Sequence, residues 1–213
     1  MVAVAILVIW IIARFAARMY HRPGWISNPT YSIQLIPHFF STEECDRMMS
    51  IARTSTFHAS KVVTSSSLFG SLNQDTRRSE QVWLSDGNDP LIRKLSERVA
   101  ALTQTRLNQQ ESWQVVRYQP GGEFKPHYDA FSQGVPFWKT NRMWTLLIYL
   151  HVPEEGGETE FPLIAESIRP VKGLAILFQS VEPSLNCIIK ESKHAGRPVR
   201  KGEKWIANKW ISV

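Results

Sequence analysis

His127-Tyr128-Asp129 sets an imidazole and a carboxylate two residues apart, at the end of a stretch that begins Arg117-Tyr118-Gln119-Pro120-Gly121-Gly122. On an extended chain side chains alternate between faces, so His127 and Asp129 point one way and Tyr128 the other. A second histidine would complete the two-histidine, one-carboxylate triad that holds non-haem Fe(II) and leaves positions open for oxygen and a co-substrate. The remaining histidines are His21, His38, His58, His151 and His194. His194 is followed by Lys204 within Gly202-Glu203-Lys204-Trp205-Ile206. A histidine on one strand and a lysine on the returning strand can face one cavity, with iron near one end and a fixed positive charge deeper in. That arrangement suits a dicarboxylate, one end on the metal and the other on the ammonium.

The elements that position these groups read mostly as strands. Trp113 to Tyr118 alternates apolar and polar residues as a half-buried strand does, and Pro120-Gly121-Gly122 turns the chain. Further strands are expected over 31–36, 143–150, 158–161, 173–178, 185–190 and 204–212, separated by turn clusters, which points to a closed or double-sheet β architecture. Two helices come first. Ser41 with Glu44 three residues on forms a capping box for a helix reaching about Ala52, and Asp89-Pro90 opens a second helix carrying Leu91, Leu95, Val99 and Leu102 at helical spacing. The serine- and threonine-rich stretch 54–75 reads as strand plus exposed loop. Residues 131–140, with Phe131, Phe137 and Trp138 around Gly134 and Pro136, read either as an aromatic lid or as a packed connection.

The ordered set of motifs resembles the prolyl 4-hydroxylase branch of the 2-oxoglutarate- and Fe(II)-dependent dioxygenases. It comprises Arg77 to Ser79 with Trp83 to Asp86, Arg117-Tyr118 with Pro120-Gly121, Pro126 to Asp129, and Arg142 with Thr145-Leu146 and Tyr149-Leu150. Gly156 to Thr159 with Phe161, Pro170 with Gly173, Ala175 with Phe178, His194 to Val199, and Gly202, Lys204, Trp205 and Trp210 complete it, so the likeness runs from about residue 30 to the end. The resemblance implies a mainly β (α+β) fold with N-terminal helices and a double-stranded β-helix, or jelly-roll, core. It implies that His127, Asp129 and His194 hold Fe(2+), and that Lys204, with Tyr118 and Thr159, binds the far carboxylate of 2-oxoglutarate. Trp210 is then expected near the co-substrate and Arg142 at the peptide substrate. The implied activity is hydroxylation of prolyl residues in proline-rich peptides using O2, with release of succinate and CO2 and with L-ascorbate keeping the iron reduced. The same chemistry on another peptide or small molecule, and an inert binding module on this fold, are the alternatives. The intact triad and Lys204 argue against the module. This sequence departs from the family pattern at Arg78, Phe124, His151 and Arg197. Phe124 and Arg197 are expected on the substrate rim, clear of the metal ligands.

Composition sets the remaining bounds. With 213 residues, 43% apolar and 21% charged, the chain is long enough for one domain with an ample core. Cys45 and Cys187 lack the spacing of a zinc site and read either as thiols or as a single disulfide. From Lys190 onward seven Lys or Arg stand against Glu191 and Glu203, read as a solvated rim around an anionic site; no nucleic-acid partner is expected. Val2 to Ala13 is unbroken apolar sequence, and Arg14, Arg18 and Arg22 interrupt its continuation on one helical face. The run approaches the ~20 residues a membrane helix needs when counted to Tyr20. A membrane anchor over 1–22 is favoured over a signal segment or a packed helix, because no positive residue precedes the apolar run. Residues 23–30 read as linker and 31–213 as the catalytic domain. The arginines after the run predict a cytosolic domain, whereas the resemblance implies an endoplasmic-reticulum lumen.

Overall fold

A computed structural model describes residues 25–64, 67–72, 75–131 and 140–212. The run 1–22 and most of the proposed lid lie outside the described residues. Among the described residues no helix is long and apolar enough to cross a membrane.

The Arg142–His151 strand lies in the interior of a seven-stranded sheet, beside its middle strand Lys204–Ser212. Its order is Gln34–Ile36, Ala175–Gln179, Arg142–His151, Lys204–Ser212, Trp113–Tyr118, Glu80–Leu84 and His58–Ala59. The run Leu146 to Leu150 is apolar without alternation because both of its faces are covered. Leu146, Ile148 and Leu150 face one core, which includes Met48, Leu95 and Val99 of the helices. Leu147 and Tyr149 face a second core. A five-stranded sheet closes that second core in the order Glu166–Ile168, Thr159–Phe161, His194–Gly196, Glu123–His127 and Arg77–Arg78. Phe161 and Ile168 from it meet Val116, Tyr149, Phe178 and Ile206 of the larger sheet. The mainly β expectation with flanking helices therefore holds, and the interior between the sheets is where the chemistry-bearing residues fall.

Both helices form where their caps predict. Over Thr42–Arg53, the Ser41 hydroxyl accepts the Glu44 N–H at 3.2 Å while the Glu44 carboxylate accepts the Ser41 N–H at 3.0 Å. Over Pro90–Thr103, the Asp89 carboxylate accepts the Leu91 N–H at 2.8 Å. Arg98, in the later half of the second helix, donates two bonds to Glu44, at 2.8 and 2.6 Å, and one to the Phe39 carbonyl, tying that helix to the start of the first.

Two expectations are revised and the open reading of the cysteines is settled. Residues 25–30, read as linker, include the strand Trp25–Ile26, paired in parallel with Ile188 and Ile189. Both cysteines are free thiols, Cys45 within the helix-side core. The basic tail is not a uniformly solvated rim: Arg197, Arg200 and Lys201 pair with Glu160, Glu155 and Glu154, whereas Lys204 and Lys209 are buried. Lys209 reaches the Ser96 hydroxyl at 3.0 Å and Asp86 at 3.6 Å, and burial pushes its pKa down to about 8.

Gly173 ties the helix-side loop to the Arg142–His151 strand. Its carbonyl accepts the Phe40 N–H at 3.2 Å and its N–H donates to Tyr149 at 2.8 Å. Its φ is +79°, and an added Cβ would stand 2.3 Å from the Phe40 carbonyl oxygen. Gly173→Ala is therefore expected to destabilise the fold by more than the ~1–2 kcal/mol of left-handed strain alone. Gly87→Ala, whose Cβ would meet nothing nearer than 4.0 Å, should stay within about 0.5 kcal/mol of the parent. Denaturant titration of the two variants checks the contrast.

Candidate active site

The Glu123–His127 strand ends at one imidazole and the His194–Gly196 strand begins at another, and the two residues are direct antiparallel partners. Each ring is oriented from behind by its own backbone. Nδ1 of His127 lies 2.9 Å from the Lys125 carbonyl, and Nδ1 of His194 lies 3.0 Å from the Ser192 carbonyl. A carbonyl only accepts, so each Nδ1 carries the proton and each Nε2 offers a lone pair. Both Nε2 atoms lie 3.6 Å from Asp129, His127 facing Oδ1 and His194 facing Oδ2. The ligand atoms of His127, Asp129 and His194 all fall within 4.8 Å of one another. Two imidazoles and one carboxylate converging in this way fit a divalent metal.

Asp129 reaches this position by a different route from strand alternation. The strand stops at His127, and Asp129 sits in the bend that follows. Asn141 fixes that bend by accepting the Phe131 N–H at 2.9 Å and donating to the Phe131 carbonyl at 3.2 Å. The Thr145 hydroxyl donates to Oδ2 at 2.8 Å. Burial alone would raise the Asp129 pKa, but His194, His127 and Arg142 outweigh it and hold the carboxyl well below its usual range. Burial pushes the His194 pKa down to about 4, so its ring is neutral at ordinary pH.

The ring of Phe124 stacks on His127 with centroids 3.4 Å apart and planes 14° apart, and the buried Arg77 guanidinium lies over Phe124 at 4.6 Å. The expectation that Phe124 belongs to the rim, clear of the ligands, is thereby corrected. Phe124 is three residues before His127 and directly opposite Gly196.

Lys204 lies on the opposite sheet, paired with Tyr118. It is 2% exposed, and its ammonium sits 5.5 Å from the Tyr118 ring centroid and 5.3 Å from that of Tyr149. Among the described residues no carboxylate stands within ion-pairing distance of it. Burial pulls its pKa down to about 7, with Glu158 opposing. An added Cβ on Gly196 would lie 4.0 Å from its Nζ, which places the ammonium against the strand that carries His194. Thr159 is buried and accepts the Tyr149 hydroxyl at 2.6 Å, leaving its own proton to donate. Arg77 and Ser79 face the Tyr118 hydroxyl, whose pKa is raised by burial.

Arg142 is held by Glu111, Nε at 2.7 Å and Nη2 at 2.8 Å, and its Nη1 reaches the Asp129 carbonyl at 3.4 Å. Its guanidinium lies 3.7 Å over Trp210 and 4.9 Å over Phe131. Trp210 in turn packs on the half-exposed Trp83, and its buried indole N–H has no protein acceptor among the described residues. Sequence reasoning missed Glu111 and gave Thr145 no role. Thr145 shares the inward face of its strand with Leu147 and Tyr149, a signal visible in the period of two. Glu111 lies in irregular chain and carries no such signal.

Comparison with known proteins decides the family. The model of the 2OG-Fe(II) oxygenase superfamily matches residues 113–212, the stretch that holds the triad and Lys204. An Arabidopsis thaliana protein described as probable prolyl 4-hydroxylase 3 is 34% identical over 200 residues, covering 83% of this chain and 67% of that protein. The chain belongs to the 2-oxoglutarate–Fe(II) oxygenases. Rattus norvegicus prolyl 4-hydroxylase subunit alpha-3 is 36% identical over 185 residues, but this chain spans only 33% of its length. The crystal structure of a viral collagen prolyl hydroxylase from Paramecium Bursaria Chlorella virus-1, in its 2OG complex, superposes with a TM-score of 0.70. It is 33% identical, with 88% of this chain and 99% of that chain covered.

In this oxygenase the hydrogen bond from Thr145 to Asp129 is expected to matter for metal binding. Thr145→Val keeps the shape and removes the donor. Outer-shell losses of this kind cost roughly 10–100-fold in metal affinity. Anaerobic Fe(II) titration checks the value, and affinity equal to the parent would show that Thr145 does not support the site.

Proposed function

We propose that this chain is a 2-oxoglutarate- and Fe(II)-dependent dioxygenase that hydroxylates prolyl residues in proline-rich peptides or proteins. The observation that carries the reading is the placement of Lys204, buried and without a carboxylate partner among the described residues, on the sheet facing the His127–Asp129–His194 cluster. An isolated ammonium is costly to bury, and a dicarboxylate with one end at the metal cluster would offset that cost.

His127, Asp129 and His194 would hold the iron. When bound, iron supplies oxygen activation coupled to conversion of 2-oxoglutarate to succinate and CO2. The chain's own residues bind and orient. Lys204 pairs with the far carboxylate, the free Thr159 proton and the Tyr118 hydroxyl add hydrogen bonds to it, and the apolar wall of Phe161, Phe178 and Ile206 excludes water. Beside the cluster the half-exposed Trp83 packs at a tilt on buried Trp210, over which Arg142 lies. Such a surface suits the rings of a polyproline II segment, which loses little entropy on docking. The buried Trp210 N–H is left to meet an acceptor on a ligand. The two facing sheets support a double-stranded β-helix. The apolar run before residue 25 fits a membrane anchor, the resemblance to prolyl 4-hydroxylases favours an endoplasmic-reticulum membrane with a lumenal domain, and L-ascorbate fits as the reductant that keeps the iron ferrous.

Proline-rich peptides, lysine-containing collagen-like peptides and methylated oligonucleotides, offered under identical conditions, test the substrate. A gain of one oxygen on proline, matched by succinate, is expected by mass spectrometry. Demethylation of the oligonucleotide with every peptide unchanged would refute the reading.

The co-substrate pocket has its own pH signature. Above about pH 7 the empty pocket holds Lys204 mostly neutral. A bound dicarboxylate favours the ammonium, so binding takes up a proton and weakens as pH rises. Affinity for 2-oxoglutarate in the metal-loaded, anaerobic protein should fall by up to about tenfold per pH unit above that point. Lys204→Met should bind far more weakly and lose this slope. A pH-independent affinity in the parent protein would place Lys204 outside the pocket.

A further inference from the structure

Residues 25–31 precede every residue given a chemical role above, yet they touch both segments that carry the metal cluster. Trp25 and Ile26 pair in parallel with Ile188 and Ile189. The Trp25 indole packs edge-on against Tyr128 at 4.8 Å and 71°, and Tyr128 is the residue between His127 and Asp129. The Ser27 hydroxyl donates to one oxygen of Glu191, and the Asn28 N–H donates to the other at 2.9 Å. The Tyr31 hydroxyl donates to the Gln179 carbonyl at 2.8 Å.

These contacts lead inward by short relays. Glu191 lies in the Lys190–Ser192 turn, whose Ser192 hydroxyl donates to the Ile189 carbonyl at 2.7 Å. The Ser192 carbonyl is the group that accepts Nδ1 of His194 at 3.0 Å and so orients its ring. The Ile189 N–H donates to Ser180 at 3.1 Å, and the Ser180 hydroxyl lies 3.4 Å from Thr145, which holds Asp129. On the other side, Tyr128 packs on a small core of Ala130, Val181 and Ile188, separate from the two main cores.

We propose that residues 25–31 are a positioning strap for the metal cluster, setting His194 through Glu191 and the His127–Asp129 segment through Trp25 on Tyr128. The strap is part of the catalytic unit, and a domain cut at residue 31 would lack it. Trp25 remains 43% exposed and its strand has two residues. A segment with so little burial detaches without unfolding the rest, so loss of the strap separates from loss of the fold. The inference rests on the metal-dependent reading above.

The test uses the full chain and Co(II) as a metal probe that needs no turnover. Trp25→Ala and Glu191→Ala are each expected to weaken Co(II) binding by about tenfold or more, as other outer-shell losses do. Trp25→Phe should restore most of the affinity, and the metal-free denaturation midpoint should barely move in any of the three. Co(II) affinity within about twofold of the parent in both alanine variants would overturn the strap, as would a loss that only tracks the denaturation midpoint. Failure of the parent to bind Co(II), or unchanged binding in His127→Ala, would overturn the metal reading itself.

Discussion

Asp129 keeps its charge with only 8% of its side chain exposed, inside a space enclosed by two sheets. A carboxylate in that position needs partners, because desolvation without compensation would drive it neutral. Its surroundings answer that requirement one group at a time. Two imidazoles face its two oxygens, Thr145 donates to one of them, and Arg142 touches its carbonyl while Glu111 holds Arg142 in place. Each partner is itself oriented from behind by backbone or by a second side chain. The buried carboxylate is thus the point on which the cluster converges.

The larger sheet makes this enclosure rigid. Its central strands are buried on both faces, so one face packs on helices while the other is free to present functional side chains. Thr145, Tyr149, Lys204 and Trp210 all lie on that inner face, and the cross-strand pairs Thr145–Trp210 and Lys204–Tyr118 fix their spacing. Among the described residues Arg142, Arg77 and Lys204 enter the space between the sheets, with different consequences. Glu111 neutralises Arg142, and Arg77 spreads its charge over Phe124 and neighbouring polar groups. Lys204 alone of these has no described anion or polar acceptor close by, and it is the one placed to meet an anionic ligand.

Much of this was legible in the chain. The capping box at Ser41, the Asp89-Pro90 helix start and the 204–212 strand all agree with the structure, because caps and periodicity are local properties. The clustering of His127, Asp129 and His194 also agrees, although the reason given for Asp129 was wrong. The bend at Asp129 depends on Asn141, twelve residues later, and no local pattern encodes that bond. Glu111 on Arg142, buried Lys209 and the strap at Trp25 share this character. Each is a contact between segments distant in sequence, or a consequence of which face is buried.

The sequence by itself therefore determined the residue types able to bind a metal and a dicarboxylate, the family likeness and most of the secondary structure. Spacing along a strand and the chemistry of side chains are written in order along the chain. Only the tertiary structure decided which polar groups lose water, and hence that Asp129 is held ionised, that Lys204 sits near the middle of its titration at neutral pH, and that Arg142 is already paired. Those properties depend on desolvation and on partners brought in from other strands, and neither exists until the two sheets have closed on one another.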